Sequence, residues 1–478
     1  MRSFALLSAL AALAAATPTG SAPQKRAELT PITVKGNAFF KGNSRFYIRG
    51  IAYQPGGSSA NVDPLADPDV CLPDIKKFKE LQVNVVRVYS VDNSKDHSEC
   101  MNALADAGIY LAVDVNNPLY SINRETPAPS YNAAYLQSVF AVIDEFVKYP
   151  NTMAFFSGNE VIHDEPETTL AAKYVKATTR DMRSYMRSRG VRQVPVGYSA
   201  ADVTGNRIQT ANYFNCGTDD ERSDFFAFND YSWCNTDIVT SGWDQKVKNF
   251  TGYGLPIFLS EYGCIGKFLR KFEEIEALMS KDMTPVYSGG LMYEYTMEPN
   301  KFGIVKIDVP ASNPSDQTGA RTELPEYANL VKAMSDFPAP PGDGGYTSTT
   351  NTAACPTKDA NWMLESTLLP KLPEDAKAVS SPYPYLPLPT MTNNPILVLL
   401  QRRWRWSRSR RRRLPVGWRG RARGCPARIR QRRRLGQGRQ ERCLPPDPLH
   451  WTRRPLHARS LGVVILLISR CFSVHDRQ

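Results

Sequence analysis

Histidine is scarce in this chain: five residues in 478, with only His97 and His163 before residue 400. His163 lies near an acidic site candidate, yet no second His or Cys stands at ligand spacing from it, and none of the nine cysteines forms a C-x-x-C unit. No metal centre is expected on that pattern, and no cofactor is called for. A dinucleotide-type glycine turn is missing too, since Gly50-Ile-Ala-Tyr-Gln-Pro-Gly56 does not fit one. Ser157-Gly-Asn159 is not a nucleophile elbow, and no Ser-His-Asp set is visible. The apolar runs at 4–16 and 461–468 are too short for a bilayer span. Residues 401–478 lack lysine altogether but hold 23 Arg against three acids, Glu441, Asp447 and Asp476. That stretch therefore carries +20 of the net +12, which leaves −8 on the rest and no reason to expect nucleic-acid binding there.

What is present at the N-terminus is Arg2, an Ala/Leu-rich apolar stretch and a small-residue exit, which reads as a secretory signal peptide over residues 1–22. Lys25-Arg26 offers a later trimming point. Secretion permits disulfides. Six cysteines precede the basic tail, Cys71, Cys100, Cys216, Cys234, Cys264 and Cys355, and six allow 15 connectivities. Asn249-Phe-Thr251 is a glycosylation sequon, whereas Asn313-Pro-Ser315 is blocked by its proline.

From about residue 45 short β-type runs alternate with helical patterns. The runs cover 46–53, 83–89, 109–115, 153–156, 194–198, 225–228, 256–259 and 290–293. Most are continuously apolar, as in parallel strands buried on both faces. Helical stretches lie at 74–81, 131–148 and 169–189, the last ending at Gly190 as a C-cap. Eight such strands over roughly 300 residues match an α/β (β/α)₈ TIM barrel at 29–335, with an open doubly wound sheet as the alternative. A hairpin at 32–40 and 46–49, turning at Gly42-Asn43, is expected to cap the barrel bottom. Residues 336–380 read as a linker, then a tether packed on the barrel through Cys355. Residues 381–478 read as a disordered Pro/Arg-rich tail. With four Trp and three extra Cys, its composition points to an out-of-frame translation of a Gly/Ser-rich region; the competing reading is a polybasic arm for polyanions.

Two glutamates end apolar runs: Thr152-Met-Ala-Phe-Phe-Ser-Gly-Asn-Glu160 and Pro256-Ile-Phe-Leu-Ser-Glu261. These are the fourth and seventh strands, whose C-terminal ends face each other across a barrel mouth. A lone glutamate there is more often a structural ion pair. An Asn-Glu dipeptide with a second strand-end Glu points instead to the paired carboxylates of glycoside hydrolysis, with Asn159 placed to bind a sugar hydroxyl. Tyr53, Tyr89, Tyr231, Trp233, Tyr262, Tyr293 and Tyr295 are placed to pack on sugar rings. Gln54, Arg87, Asp92, Asp114, Asn116 and Asn117 suit hydroxyl recognition, with Arg87 alternatively pairing a catalytic carboxylate. Cys234 and Cys264 follow Tyr231 and Glu261 at the same offset on neighbouring strands, so a bridge between them would clamp the loop behind Glu261. Cys71 and Cys100 flank the second strand, which leaves Cys216 with Cys355.

Tyr53-Gln-Pro-Gly-Gly57, Arg87-Val-Tyr89, Tyr120-Ser-Ile-Asn-Arg124, Phe155-Phe-Ser-Gly-Asn-Glu-Val161, Val196-Gly-Tyr-Ser-Ala200, Asn212-Tyr-Phe-Asn-Cys216, Ser260-Glu-Tyr-Gly-Cys264 and Tyr293-Glu-Tyr295 together resemble the fungal β-1,3-glucanosyltransferases of glycoside hydrolase family 72. The resemblance spans about residues 30 to 375. It implies a retaining barrel enzyme that cleaves cell-wall β-1,3-glucan and transfers the new end to another chain. By that likeness Glu160 is the acid/base, Glu261 the nucleophile, and Gln54, Tyr89, Asn159, Tyr231 and Tyr293 bind glucan, with Asp114 beside them. The family's disulfide pattern agrees with the three pairs above. Ile265-Gly-Lys-Phe-Leu-Arg270 and Phe302 depart from the family, which usually has an Asn with an Arg-Pro-Arg-like stretch and a Tyr there. No cysteine-rich glucan-binding module follows Cys355. A secreted, wall-located protein is implied, but the C-terminus does not match the family's lipid-anchor signal. The rivals are an endo-β-1,3-glucanase using water as acceptor and a non-catalytic glucan-binding wall protein.

Overall fold

The computed structural model describes residues 29–377, apart from 267, 314, 366 and 367. The signal-peptide reading at 1–22 and the disordered, out-of-frame reading at 381–478 lie outside the described residues. The chain enters through β1 (Ile32–Lys35), β2 (Ala38–Lys41) and β3 (Ser44–Phe46), which form an antiparallel sheet. The hairpin expected at 32–40 and 46–49 is thus two hairpins. Gly36, at φ 56°, turns the chain before residue 40, and 48–49 already belong to the barrel. Gly36-Asn37 is a turn pair of the same kind as Gly42-Asn43, and both fold back.

Eight parallel strands follow: β4 (Ile48–Ala52), β5 (Val85–Val88), β6 (Tyr110–Asp114), β7 (Thr152–Asn159), β8 (Val196–Ala201), β9 (Phe225–Asp230), β10 (Ile257–Tyr262) and β11 (Tyr287–Met292). They close in chain order, β11 pairing β4. Every residue of β5, β6, β9, β10 and β11 is buried, the cause of the unbroken apolar runs. The N-terminal end is filled by aromatics. Phe39 of β2 plugs it, with ring centroids 6.0 Å from Phe225 and 5.8 Å from Phe258.

Around the strands run α1 (Pro68–Glu80), α2 (Ser98–Asp106), α3 (Pro127–Ser130), α4 (Ala133–Phe146), α5 (Ala172–Ser188), α6 (Arg207–Asn215), α7 (Trp243–Phe250) and α8 (Glu274–Leu278). The helix read at 74–81 starts earlier, because Asp67 caps it and Pro68 occupies its first turn; Pro73 sits inside it. Gly190, at φ 65°, ends α5 with its N–H on the Arg187 carbonyl at 3.0 Å. Phe140 of α4 stacks on Tyr185 of α5 at 4.2 Å. A short hairpin, β12 (Val305–Ile307) with β13 (Arg321–Glu323), and α9 (Pro325–Asp336) follow the barrel, and a 3-10 turn at Pro166–Ala171 precedes α5.

The Pro/Gly stretch at 338–345 is held against the bottom sheet. Arg45 Nη1 donates to the Asp343 carbonyl at 2.9 Å, and Asn37 exchanges bonds of 3.1 and 2.8 Å with Thr347. A Cβ on Gly36 would meet the Thr347 oxygen at 1.8 Å, so glycine is required by close approach as well as by φ. Cys355 bridges Cys216 across 139 residues, a loop worth on the order of 4–5 kcal/mol in the chain-entropy account. Trp362 is fully buried against Tyr213, and Arg180 Nη2 donates to the Pro370 carbonyl at 2.9 Å.

Candidate active site

The C-terminal strand ends gather the polar residues of the barrel around one guanidinium. Arg87, next to last in β5, is completely buried. Its Nε and Nη2 grip the Asp114 carboxylate at 2.9 and 3.2 Å, and Nη2 also reaches Asn159 Oδ1 at 3.0 Å. Nη1 donates to the Ser260 carbonyl at 3.1 Å and to Glu261 Oε1 at 3.2 Å. The five N–H groups of the fork thus find five acceptors. The cation lies over the rings of Phe156 and Tyr89, at 4.3 and 4.4 Å. Asp114, read as a sugar-binding candidate, is buried and spends both oxygens on Arg87.

Glu261 lies near the end of β10 and is only 6 % exposed. Besides Arg87 it accepts from Tyr89 OH at 2.9 Å and from Tyr231 OH. Burial pushes its carboxyl up to about 7. Arg87 pulls the value down, the nearby Glu160 charge pushes it up, and the two phenols pull it down again. Glu160 follows β7 directly. Its backbone is left-handed, at φ 48°, with its N–H on the Ser199 carbonyl at 2.8 Å. A non-glycine residue held there carries strain on the order of 1–3 kcal/mol, which the surrounding bonds must offset. The half-buried side chain accepts from Asn229 Nδ2 at 2.8 Å, and its carbonyl accepts from Arg124 Nη2 at 2.6 Å. Asn159 is tied to Arg87, to Ser199 Oγ at 2.7 Å and to Asn229 Nδ2 at 3.3 Å.

Of the remaining sequence-read residues, Tyr231, Tyr293 and Gln54 give a wall and its support, whereas Tyr53, Trp233, Tyr262 and Tyr295, read as packing on sugar rings, are buried in the core instead. The hydroxyls of Tyr53 and Tyr295 bond Asp74 at 2.9 and 2.8 Å, and Trp233 packs on Trp243. Tyr231 is 36 % exposed and meets Tyr293 edge-on at 5.9 Å, while Phe302 packs on both at 5.3 Å. Tyr293 OH donates to Ser58 Oγ at 3.1 Å. Gln54 is buried behind this wall. Its Oε1 accepts from the Tyr89 and Ser90 amides at 3.1 Å, and its Nε2 donates to the Val62 carbonyl at 2.6 Å. A cleft of about 490 Å³ runs beside the pair, lined by Ser58, Tyr89, Asp114, Asn117, Arg124 and Asn159 among others. Cys234 and Cys264 are bridged, joining the loops after β9 and β10 at 5.2 Å between Cα atoms. Cys71 and Cys100 join α1 to α2 at 6.0 Å. Asn249 is exposed near the end of α7.

Sequence reasoning missed Asn229 and Arg124, the residues that hold Glu160. For Asn229 a signal existed: an amide inside Phe225-Phe-Ala-Phe-Asn-Asp230 is as poorly suited to a core as Glu160 is. Arg124 comes from a loop; it closes the Tyr120-Ser-Ile-Asn-Arg124 stretch, but nothing in that stretch ties it to Glu160.

Known proteins are similar to this chain over most of its length. A family model described as glucanosyltransferase, glycoside hydrolase family 72, matches residues 21–336. The 1,3-beta-glucanosyltransferase gel1 of Aspergillus fumigatus is 58% identical over 379 residues, which cover 79% of this chain and 81% of that one. The 1,3-beta-glucanosyltransferase GAS5 of Saccharomyces cerevisiae is 48% identical over 378 residues, 78% and 75% of the two chains. Among solved structures, a mutant of Saccharomyces cerevisiae Gas2p in complex with laminaritetraose and laminaripentaose superposes with a TM-score of 0.66. It is 36% identical and covers 73% of this chain and 76% of its own.

Proposed function

We propose that this chain, which belongs to glycoside hydrolase family 72, the glucanosyltransferases, works through Glu261 as nucleophile and Glu160 as acid and base. It is a 1,3-β-glucanosyltransferase, and its substrate is β-1,3-glucan. One observation carries the division of roles. Among the described residues three donors, Arg87 Nη1, Tyr89 OH and Tyr231 OH, converge on Glu261, whereas the Glu160 side chain receives the amide of Asn229 alone. Donors to a carboxylate favour its ionised form. These donors oppose the burial that raises the Glu261 carboxyl, and so suit it to attack as the anion.

The Glu261 carboxylate then attacks the anomeric carbon of an internal linkage as Glu160 gives its proton to the departing glycosidic oxygen. The glycosyl-enzyme ester that forms keeps the non-reducing part of the chain. Glu160, now ionised, takes the proton of an incoming glucan hydroxyl, whose oxygen displaces Glu261 and re-forms a β-linkage. Asn159 stands next to Glu160, where a sugar hydroxyl would bind. The exposed face of Tyr231 supplies apolar surface for sugar rings, with Tyr293 packed edge-on behind it. Gln54 acts from behind, through the amide of Tyr89.

Incubation with a reduced β-1,3-glucan oligomer tests the reading: products longer than the substrate are expected, and shorter ones alone would mean water is the acceptor. Glu261→Gln and Glu160→Gln should each abolish transfer without loss of fold. More than a few per cent of residual turnover would remove that residue from the pair.

The setting follows from sequence. The N-terminal stretch reads as a secretory signal, exposed Asn249 suits glycosylation, and the wall glucan lies outside the cell. No helix among the described residues is long and apolar enough to cross a membrane.

A further inference from the structure

His97 has no part in the chemistry above, yet its surroundings are unusual. It is completely buried at the start of α2. Its Nε2 lies 2.7 Å from Asp63 Oδ2 and its Nδ1 lies 2.9 Å from Glu145 Oε1. A carboxylate only accepts, so both contacts are hydrogen bonds when both ring nitrogens carry protons. A neutral ring would set one nitrogen lone pair against a buried carboxylate.

The two carboxylates belong to different parts of the molecule. Glu145 is on α4, where Lys148 Nζ also holds it at 2.8 Å and Tyr149 OH donates to it at 3.3 Å. Asp63 lies in the loop between β4 and α1. Its oxygens also accept from the Leu65 amide at 2.9 Å and the Asp92 amide at 2.6 Å. The carbonyl of Val62, next in the chain, is where Gln54 Nε2 is anchored. Gln54 Oε1 then fixes the amides of Tyr89 and Ser90, and Tyr89 OH reaches Glu261. An unbroken set of bonds therefore runs from the imidazole to the nucleophile's donor. The same loop carries Ser58, which meets Tyr293 at the cleft.

We propose that His97 is a positioning residue, an imidazolium that locks the 53–67 loop to α4 and so sets the Tyr89 hydroxyl on Glu261. The inference rests on the reading of Glu261 as nucleophile. Burial pushes the imidazole value down, but the bonds to Asp63 and Glu145 outweigh it and hold it at about 9. The other charged or titratable groups around the ring do not reverse this. Lys148 and Tyr149 are engaged with Glu145, Asp92 Oδ1 is engaged with Ser94, and Asp96 faces Ser98.

Two measurements test the proposal. Nitrogen-15 NMR of the full-length protein reads the ring directly and needs no substrate; both His97 nitrogens should be protonated at pH 7.5, and a neutral ring there overturns the proposal. The second is a double-mutant cycle in the transfer assay. His97→Gln should lower kcat about tenfold, the scale of one hydrogen bond to a charged group. In a Tyr89→Phe background the same change should cost no more than about twofold, ordinary additivity error. An equal loss in both backgrounds would mean a merely structural role and would overturn the proposal. Should His97→Gln fail to fold, isosteric Asp63→Asn takes its place in the cycle with the same two outcomes. Failure of the nucleophile reading is distinguishable, because Glu261→Gln would then itself retain transfer.

Discussion

Tyr89→Phe removes one oxygen and leaves the ring against Arg87 and Tyr293. The hydroxyl donates to Glu261 at 2.9 Å, inside a buried site. A hydrogen bond to a charged group is worth about 1.5–3 kcal/mol. One pKa unit is about 1.4 kcal/mol, so the loss corresponds to one unit or somewhat more. The sign follows from the role. The phenol stabilises the ionised carboxylate, so removing it raises the Glu261 value from about 7. On the acid side the ionised fraction then falls about tenfold per unit. The ascending limb of kcat/KM, which reports the free enzyme, should move to higher pH by about one unit. Activity well below neutrality should drop about tenfold, with a smaller loss where Glu261 is already ionised. Initial transfer rates on a reduced β-1,3-glucan oligomer from pH 4 to 9 give both numbers. A uniform fall at every pH, with the limb unmoved, would mean that Tyr89 only holds sugar and would refute the argument.

Arg87→Lys replaces a five-donor fork by three donors on a point charge, which cannot bridge Asp114, Asn159 and Glu261 together. Breaking the buried network should cost about 3–5 kcal/mol, seen as a lower Tm, and transfer should be lost with it. Asn229→Ala takes away the amide on Glu160 Oε1 and should lower kcat about tenfold, with little movement of the Glu261 limb. His97 is held at about 9, above the ordinary 6.5, so its stabilisation is full below pH 6.5 and is lost as pH rises through 9. Between pH 7 and 9.5 the Tm of the wild-type protein should therefore fall more than that of His97→Gln. Trp362→Ala should cost about 3–5 kcal/mol in a melt while the folded enzyme keeps its kcat, because Trp362 packs on Tyr213, away from the carboxylates.

The barrel was legible because parallel strands covered on both faces read as unbroken apolar runs, and all eight lie where those runs lie. Their ends were less so. β7 continues through Ser157-Gly158-Asn159, polar or small residues that a hydrophobic criterion drops, yet they stay in the strand. The start of α1 was hidden by Pro73, which reads as a stop although the helix passes through it. The hairpin of β12 and β13 has only three residues a side, too few to show a period. Within the site, a charge at the end of an apolar run is a strong local signal, and Glu160 and Glu261 both gave it. The work of Gln54 could not be read that way. Its amide is spent on the backbone of Val62, Tyr89 and Ser90, and which backbone groups lie within reach is settled only by the fold.

Arg87 explains why the two carboxylates differ although both end strands of one barrel. A guanidinium has a fixed plane, and here Asp114 takes one edge of it in a bidentate grip. That grip sets the orientation of the fork, so the remaining donors fall on Ser260, Glu261 and Asn159 and none falls on Glu160. Glu261 thereby receives a cation and two phenols in a buried position, while Glu160 sits half-buried with one amide. Burial alone would favour the neutral form of Glu261; the donors are what make its anion available. The buried pair of Asp114 with Arg87 is thus better understood as the aim of the fork than as a store of stability, since a buried ion pair rarely outperforms apolar packing of the same volume. An Asp114→Asn variant separates the two ideas. It keeps the shape but gives one edge of the fork a poorer acceptor, so the guanidinium can turn away from Glu261. Transfer should then fall by about tenfold or more, the scale of a lost charged hydrogen bond, with the ascending limb shifted upward as in Tyr89→Phe. A variant that lost stability but kept the wild-type limb would show that Asp114 anchors Arg87 without aiming it.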